Sequence, residues 1–305
     1  MHLLSVQNLS FSWGYKPLFN ELGFNLDKGQ TIGIAGPNGC GKSSLVKILG
    51  GSLSPDRGQL ALAPGSRVAT VAQNPDFGAA LTIRDCLLAE TRQLADRLRT
   101  LEEAMAATTD ESRMPALLAR FGEAQGAFLA AGGYQADEQA ERLLARTGLP
   151  LRPDQALTTL SGGERSVLSL VQALVADPDL LILDEPGNHL DYQGLAWLEA
   201  FLAELDKGII LVSHNRYLLD RVAGTIIYLE AGRHWIHRGS YSDFRQMRRE
   251  QLAEERKAHA ARERELQQLT LALKDLQAQA AQSYNPPARV MSDLAVTKRK
   301  IAELR

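Results

Sequence analysis

The sequence predicts an α/β fold in which a mostly parallel sheet is followed by a helical hairpin. Three observations lead to this expectation. Three strand–helix alternations follow Ser161 and end at Gly232, and strands that alternate with helices usually pair in parallel. A glycine-rich loop at residues 36–43 joins an apolar strand to a helix. No Gly or Pro occurs between Tyr241 and Ser283, as a long uninterrupted helix requires.

The N-terminal part is expected to be β structure. Val6 to Trp13 and Gln30 to Ala35 read as strands, with a turn-rich stretch between them. Arg67 to Ala72 reads as a further short strand. The strand at Ile32 to Ala35 leads into the glycine-rich loop, and Lys42 to Leu49 opens a helix.

The middle of the chain has the apolar spacing of helices. From Thr82 to Thr147 apolar residues recur three or four positions apart, and this stretch ends at Gly148 and Pro150. We therefore expect a helical subdomain at about residues 80–154, inserted into a domain that covers residues 1–238.

The C-terminal residues 239–305 have the pattern of a helical hairpin. Apolar residues follow a 3-4-3-4 spacing, typical of a coiled-coil seam, at Leu266, Leu269, Leu273, Leu276 and Ala280. The breaker Asn285-Pro286-Pro287 separates this seam from a second one, which comprises Val290, Leu294, Thr297, Ile301 and Leu304. The returning helix is the shorter and stops in mid-pattern, so we interpret the hairpin as truncated.

Composition narrows the class of protein. The 305 residues are 45% hydrophobic and 23% charged, as in ordinary globular chains, and two cysteines exclude a disulfide framework. The sequence contains no run of 18 apolar residues, so it predicts no membrane span. Met1 leads directly into a strand-like segment, without a signal peptide. We expect a cytoplasmic protein.

Charge is unevenly distributed. Residues 238–305 hold 14 Lys and Arg against 9 Asp and Glu, whereas the remainder holds 20 against 27. A basic C-terminal region on an acidic body suggests a polyanionic partner, although a solvated helix with a few extra basic residues is the simpler interpretation.

Gly36-Pro37-Asn38-Gly39-Cys40-Gly41-Lys42-Ser43 fits the phosphate-binding pattern G-x-x-x-x-G-K-S. Its glycines let backbone amides approach phosphates at a helix N-terminus. Lys42 would supply positive charge to the β and γ phosphates of ATP, and Ser43 a hydroxyl to Mg²⁺. Asn38, Cys40 and Ser44 belong to the same predicted site. Cys40 is either a small filler or a thiol made reactive by the helix N-terminus.

Two carboxylates follow an apolar strand at Leu180 to Leu183. Asp184 and Glu185 are adjacent, so their side chains leave the strand on opposite sides and need separate roles. Asp184 suits the Mg²⁺ shell, and Glu185 suits the activation of a water that attacks the γ phosphate.

A third run, Leu160-Ser161-Gly162-Gly163-Glu164, starts 20 residues before Leu180-Leu181-Ile182-Leu183-Asp184-Glu185-Pro186. With the phosphate loop upstream, these runs resemble the nucleotide-binding domain of the ATP-binding-cassette superfamily over residues 1 to about 238. The resemblance implies a P-loop NTPase cassette with an N-terminal antiparallel β part and a helical subdomain.

Further site residues come from this resemblance alone. It implies that Gln73 reaches Mg²⁺ and water and that His214 contacts the γ phosphate. It also implies that Trp13 stacks on adenine, although a core Trp or stacking by Tyr15 remains an alternative. Ser161, Gly162, Gly163 and Asp191 are implied to close on the ATP of a facing cassette, so that two cassettes share two sites.

Within the superfamily the sequence resembles the ABC-F group, soluble proteins whose two cassettes are joined by a helical hairpin and which generally act at the ribosome. The resemblance rests on three runs: Gly187-Asn188-His189-Leu190-Asp191, Gly132-Gly133-Tyr134 and Gly239-Ser240-Tyr241-Ser242-Asp243-Phe244. Gly187 stands where the group usually has Thr, and Val167 and Gln172 stand where it usually has Arg. The sequence shows one cassette, so a second cassette is expected in trans, as a head-to-tail homodimer, or in a longer protein.

The leading hypothesis is therefore a ribosome-associated ATPase of ABC-F type that uses ATP and Mg²⁺, contacts the ribosome or tRNA through the basic hairpin, and serves translation control or antibiotic resistance. The alternatives are the ATPase subunit of a membrane transporter and a DNA-associated ABC ATPase.

Overall fold

The computed structural model describes residues 2–73, 75–108, 110, 112–281 and 288–304. It divides into two compact units, Met1–Ser242 and Asp243–Arg305. Within the described residues the strands are β1 (His2–Trp13), β2 (Lys16–Asp27), β3 (Thr31–Ala35), β4 (Arg57–Leu62), β5 (Val68–Val71), β6 (Leu180–Asp184), β7 (Gly208–Val212), β8 (Thr225–Glu230) and β9 (Arg233–Arg238). The helices are α1 (Lys42–Leu49), α2 (Ile83–Leu87), α3 (Ala89–Ala107), α4 (Met114–Ala130), α5 (Ala136–Arg146), α6 (Gly162–Val175), α7 (Tyr192–Ala203), α8 (Arg216–Val222), α9 (Tyr241–Ala281) and α10 (Ala288–Leu304).

A six-stranded sheet forms the centre of the first unit, in the order β5-β6-β7-β3-β8-β9. Its first five strands are parallel, and only β9 runs antiparallel, against β8. The expected α/β fold with a mostly parallel sheet is therefore confirmed. Strand β6 is buried as far as Leu183 and β7 along its whole length, which explains their nearly continuous apolar sequence.

A second, antiparallel sheet has the order β2-β1-β4. Its strand β2 occupies the stretch that the sequence analysis interpreted as turn-rich. Register shifts in the β1–β2 ladder break the simple alternation of apolar and polar residues, and Asn8 and Glu21 adopt the left-handed conformation there, with φ of 50° and 52°. A period-two pattern interrupted in this way is hard to recognise in a sequence.

The two sheets are joined through close packing at glycine. A β-carbon on Gly208, the first residue of β7, would lie 2.4 Å from Leu3 Cδ2 and 3.2 Å from Leu26 Cδ2. Gly33, in the middle of β3, is enclosed in the same way by helix α8 and strand β8, with Leu219 Cδ2 only 2.8 Å from the position of a β-carbon. These contacts fix β3 and β7 at the centre of the unit.

Four helices, α2 to α5, form the helical subdomain. Helix α2 begins with a capping box, in which the Thr82 hydroxyl accepts from the Asp85 N–H while the Asp85 carboxylate accepts from the Thr82 N–H. From α2, Arg84 reaches α5 and pairs with Glu141 at 2.8 Å. The chain then leads through Leu157–Thr159, a short 3₁₀ turn, to α6.

The second unit consists of α10 and nearly all of α9. Helix α9 has 41 residues, which corresponds to a length of roughly 60 Å. Its predicted seam residues Leu266, Leu269, Leu273, Leu276 and Ala280 are all half-buried. On α10, Leu294 and Ile301 are buried and Thr297 is half-buried. The breaker Asn285-Pro286-Pro287 and the side chains of Val290 and Leu304 lie outside the described residues.

We predict that Gly33→Ala destabilises the first unit by about 1–3 kcal/mol, because the added methyl group would overlap Leu219, Ala223 and Ile226. In a unit of this size each kcal/mol lowers Tm by roughly 2–4 °C. Gly23→Ala on β2 is the matched control, since its methyl group would meet nothing closer than 3.5 Å. Equal Tm values for the two variants in a thermal unfolding scan would contradict the packing described for β3.

Candidate functional site

Four neighbouring strands of the large sheet, β5, β6, β7 and β3, end at the same edge. Each delivers predicted site residues just past its last residue: Gln73 after β5, Asp184 and Glu185 at the end of β6, and His214 after β7. The glycine-rich loop follows β3. This is the edge at which parallel α/β sheets usually bind ligands.

These residues line one cleft of about 560 Å³, which we call the strand-end cleft. Of the residues predicted from the sequence, it is lined by Trp13, Asn38, Gly39, Gly41, Lys42, Ser43, Ser44, Gln73, Asp184, Glu185 and His214. Lys16 and Leu18 also line it and were missed. Both residues lie in β2, close to Trp13 on β1. Their proximity to Trp13 could have indicated the site, but it can be recognised only once the β1–β2 hairpin is known.

The glycine-rich loop has backbone conformations at Gly36 and Gly41 that favour glycine. Gly36 has a φ of 151°, and a β-carbon there would lie 2.2 Å from the Leu229 carbonyl oxygen. Gly41 precedes α1 in the left-handed conformation. Lys42 is buried, and its ammonium donates to the carbonyl oxygens of Gly36 at 2.9 Å and Pro37 at 3.2 Å. The loop thus holds its lysine across its own backbone, next to the first turn of α1.

Glu185 is the most constrained residue of the cleft. It is 6% exposed and adopts a φ of 54°, unusual for a residue other than glycine. Its Oε2 accepts from the His214 N–H at 3.1 Å, whereas Oε1 is buried without a hydrogen bond and lies 3.5 Å from His214 Nε2. Burial raises the pKa of this carboxyl, against the opposing effects of the His214 N–H and of Lys42.

Asp184 lies closer to the glycine-rich loop. Burial raises the pKa of its carboxyl too, while Lys42 and a hydrogen bond with the Ser43 side chain oppose this rise. Ser43, Asp184 and Gln73 all line the strand-end cleft. A hydroxyl, a carboxylate and an amide oxygen are the hard donors that Mg²⁺ prefers, so this part of the cleft fits the predicted ion. Among the described residues, no cluster of three or more His, Cys, Asp and Glu could hold a metal ion by itself.

Trp13 lies at the other end of the cleft. Its side chain is 69% exposed, so it is not a core tryptophan, and it contacts Phe11 edge-to-face with ring centroids 6.4 Å apart. Tyr15 is fully exposed at the hairpin turn and does not line the cleft. Of the two aromatic residues, Trp13 is therefore the one placed to stack on a ligand in the cleft.

Cys40 does not have the lowered pKa that a reactive thiol would need. The side chain is buried behind the loop, and burial raises the pKa of the thiol more than Lys42 and the nearby backbone N–H groups lower it. A β-carbon on Gly36 would lie 2.8 Å from Cys40 Sγ, so the thiol fills space beneath the loop. Of the two interpretations, the small filler is therefore the one that agrees with the structure, because burial outweighs the helix N-terminus.

Four further predicted residues line a second cleft, of about 820 Å³, which we call the α6 cleft, whereas Gly36 and Cys40 line neither cleft. It brings together Ser161, Gly162, Gly163 and Asp191, and it shares no lining residue with the strand-end cleft. Ser161 caps α6 through a capping box with Glu164, whose carboxylate accepts from both the Ser161 hydroxyl and the Ser161 N–H at 2.8 Å. Apart from Gly36 and Cys40, the predicted site residues thus form two separate groups within one chain.

The departures from the ABC-F pattern each have a packing explanation. A β-carbon on Gly187 would lie 2.8 Å from Leu195 Cδ2 on α7, so the threonine usual at this position would require the Leu195 side chain to shift. Val167 is buried on α6, where a charge would be costly. Gln172 donates its amide N–H to the Cys86 carbonyl oxygen at 3.0 Å and thereby ties α6 to α2.

Comparison with known proteins identifies the family of the chain. The sequence profile of the family described as "ABC transporter" matches residues 19–188. The chain is 34% identical over 255 residues to the energy-dependent translational throttle protein EttA of Mycobacterium tuberculosis. The aligned region covers 82% of this chain and 45% of that protein. It is 32% identical over 258 residues to the ABC transporter ATP-binding protein YfmR of Bacillus subtilis, with 83% and 40% covered. The chain thus spans less than half the length of these relatives.

Solved structures support the fold. An ABC transporter of metal-chelate type in an inward-facing conformation superimposes with a TM-score of 0.58 at 21% identity, over 78% of this chain and 84% of that one. The ATP-binding subunit of an ABC transporter gives 0.58 at 23% identity, over 80% and 92%. In the part of the chain that the structure describes, no helix is both long and apolar enough to cross a membrane.

We predict that Glu185→Gln raises Tm at neutral pH, because it removes an ionised carboxylate that burial disfavours. Folding raises the pKa of the Glu185 carboxyl above its ordinary value of 4.5. The stability of the fold therefore falls as the pH rises from 4.5 through the raised pKa, because the folded state disfavours the ionised carboxylate. In a thermal unfolding scan at pH 7.5 the variant should therefore unfold at a higher temperature than the unsubstituted protein. The difference should shrink towards pH 4.5.

Glu164→Gln is the control of opposite sign. Its hydrogen bonds from Ser161 lower the pKa of that exposed carboxyl, so its ionised form favours folding and the amide should not raise Tm at pH 7.5. A rise in Tm for Glu164→Gln equal to that for Glu185→Gln would show that burial of Glu185 is not the cause.

Proposed function

This chain belongs to the ABC transporter family, and we propose that within it the chain is an ATPase of ABC-F type that acts on the ribosome. The observation that carries this proposal is the similarity to EttA, an ABC-F protein whose name describes an energy-dependent translational throttle. The basic second unit supports it, since a long helix with excess Lys and Arg suits a nucleic-acid surface. Such a protein would work in the cytoplasm, in translation control or in antibiotic resistance.

The strand-end cleft would bind ATP along its length. Trp13 would stack on the base, worth ~1–3 kcal/mol, and the loop amides from Asn38 to Ser44 would bind the phosphates. Lys42 would leave the carbonyl oxygens of its own loop for the β and γ phosphates, and His214 would contact the γ phosphate. Bound Mg²⁺ would neutralise phosphate charge, held by Ser43, Gln73 and Asp184.

Glu185 would act as general base towards the attacking water. Its raised pKa brings the carboxylate closer to the basicity that proton abstraction needs at neutral pH. Its Oε2 is fixed by the His214 N–H, which leaves the unbonded Oε1 to accept from a water. The left-handed backbone at Glu185 points to the same role, because strained conformations are often kept at reacting groups.

The separation of the two clefts supports pairing of cassettes. Ser161, Gly162, Gly163 and Asp191 do not line the cleft that holds the glycine-rich loop. A second cassette, facing this one head to tail, would bring its own α6 cleft to the nucleotide bound here. It would be supplied in trans, by a homodimer, or within a longer chain.

The alternative with most support is the ATPase subunit of a membrane transporter. The relative YfmR is named as an ABC transporter ATP-binding protein, and solved structures of transporter subunits share the fold. A DNA-associated ABC ATPase is the third possibility, in which the basic unit would bind DNA.

We predict that the Glu185→Gln variant sediments with ribosomes in the presence of ATP and Mg²⁺, because binding is retained and hydrolysis is blocked. Reversal of charge at two exposed positions of α9, Arg256→Glu with Lys257→Glu, should reduce the pelleted fraction several-fold and weaken its salt dependence. Arg57→Glu with Arg233→Glu, exposed on strands of the first unit, is the matched control.

Absence of ribosome binding in the ATP-bound variant would refute the ribosomal proposal. Retention of the variant on DNA under the same conditions would favour the third possibility. ATP-dependent capture by membranes that hold a cognate permease would favour the transporter.

We also predict that ATP turnover per chain rises with protein concentration, because pairing supplies Ser161 to the facing nucleotide. One donor of this kind is typically worth ~10²–10³ in rate. Ser161→Arg should abolish turnover and leave ATP affinity of the monomer unchanged. High turnover that does not depend on concentration, in a species shown by light scattering to be monomeric, is the result that would exclude shared sites.

A further inference from the structure

We propose that Lys16 is a second phosphate-binding lysine, which contacts the α and β phosphates of the nucleotide from the β1–β2 hairpin. The inference rests on the proposed function, since it assigns a role within the same nucleotide cleft. Lys16 was not among the residues singled out from the sequence. The structure places it in the strand-end cleft with Lys42.

The hairpin turn sets the position of Lys16. Strands β1 and β2 are joined by a two-residue turn at Gly14 and Tyr15, and Trp13 pairs directly with Lys16 across it. The φ of 60° at Gly14 is the left-handed value that such tight hairpins require. Residues directly opposite each other on antiparallel strands project from the same face, so the indole ring and the lysine stem lie side by side.

The far end of the side chain reaches the glycine-rich loop. Lys16 Nζ donates to the Gly39 carbonyl oxygen at 3.4 Å, a long hydrogen bond to the loop that would hold the phosphates. Lys16 thus extends from the ring that would stack on the base to the loop. The phosphates that lie between those two points are α and β, whereas Lys42 serves β and γ.

Charge balance gives an independent reason. The ionisable side chains that line the cleft are Lys16, Lys42, Asp184, Glu185 and His214. With neutral histidine and ionised carboxylates, they sum to zero with Lys16 and to −1 without it. Lys16 therefore removes a net negative charge that would oppose a polyanion such as ATP, and its charge adds to that of Mg²⁺ and of the helix N-terminus. Among the described residues, Lys16 forms no ion pair with a carboxylate, so its charge is not offset by a fixed partner.

The test is calorimetric titration of the full chain with Mg²⁺-ADP, supplemented by steady-state ATPase kinetics. Lys16→Met should weaken ADP binding about 10-fold, the lower end of what one charge-assisted hydrogen bond contributes. It should raise KM for ATP by a similar factor and leave kcat within about two-fold, because the α and β phosphates are contacted before and during the reaction alike. Lys16→Arg should restore most of the affinity.

Two further variants separate this role from a structural one. Lys16→Gln keeps a donor for the Gly39 carbonyl oxygen but loses the charge, so it should bind ADP as weakly as Lys16→Met; affinity equal to the unsubstituted chain would mean that Lys16 only supports the loop. Lys28→Met, which removes an equal charge from outside the cleft, should bind normally.

Unchanged ADP affinity in Lys16→Met would overturn the proposal, and so would a loss confined to ATP, which would place the amine at the γ phosphate. Failure of the unsubstituted chain to bind ADP at all would instead overturn the nucleotide site and the proposed function with it.

Discussion

Parallel pairing of β5, β6, β7 and β3 is the constraint on which the rest of the structure depends. Hydrogen bonds between these strands hold four carboxyl ends at one edge, so that residues from distant parts of the sequence meet within one cleft. These residues come from strands and loops that are far apart in the sequence. Their arrangement is therefore a property of the backbone ladder, and glycine packing at Gly33 and Gly208 keeps that ladder in place.

The same edge concentrates groups that destabilise the fold. Glu185 and Asp184 are carboxylates whose pKa values are raised by burial, Glu185 has a left-handed backbone, and the buried Lys42 ammonium donates to carbonyl oxygens. Each costs folding free energy that the apolar strands offset. This distribution is typical of a site selected for chemistry, because a site selected for stability would neutralise such groups by pairing.

Much of the fold and of the candidate site was predictable because the patterns involved are local. The glycine-rich loop, the apolar strand before Asp184 and the helix after Ser161 each depend on residues within a few positions of one another. Strand β2 was missed because its bulges disrupt the alternation, and Lys16 was missed with it, since only the hairpin places it beside Trp13. The role of Cys40 stayed open between a filler and a reactive thiol, because it depends on burial behind the loop, which the sequence does not reveal. Local sequence patterns therefore predicted which residues belong to the site. The exposure of those residues and the charge of their side chains depend on contacts between distant elements.

The capping box of α6 has a consequence for any partner that docks there. The Ser161 hydroxyl and N–H both donate to the Glu164 carboxylate, so neither is idle in the isolated chain. An anion that takes these donors must displace the Glu164 carboxylate and brings a second negative charge beside it, whereas the Ser161 hydroxyl oxygen can keep accepting from the Glu164 N–H, the bond that caps the helix. Docking is therefore thermodynamically linked to the reciprocal half of this capping box: whatever strengthens the hold of Glu164 on the two Ser161 donors weakens the affinity of the α6 cleft for an anion.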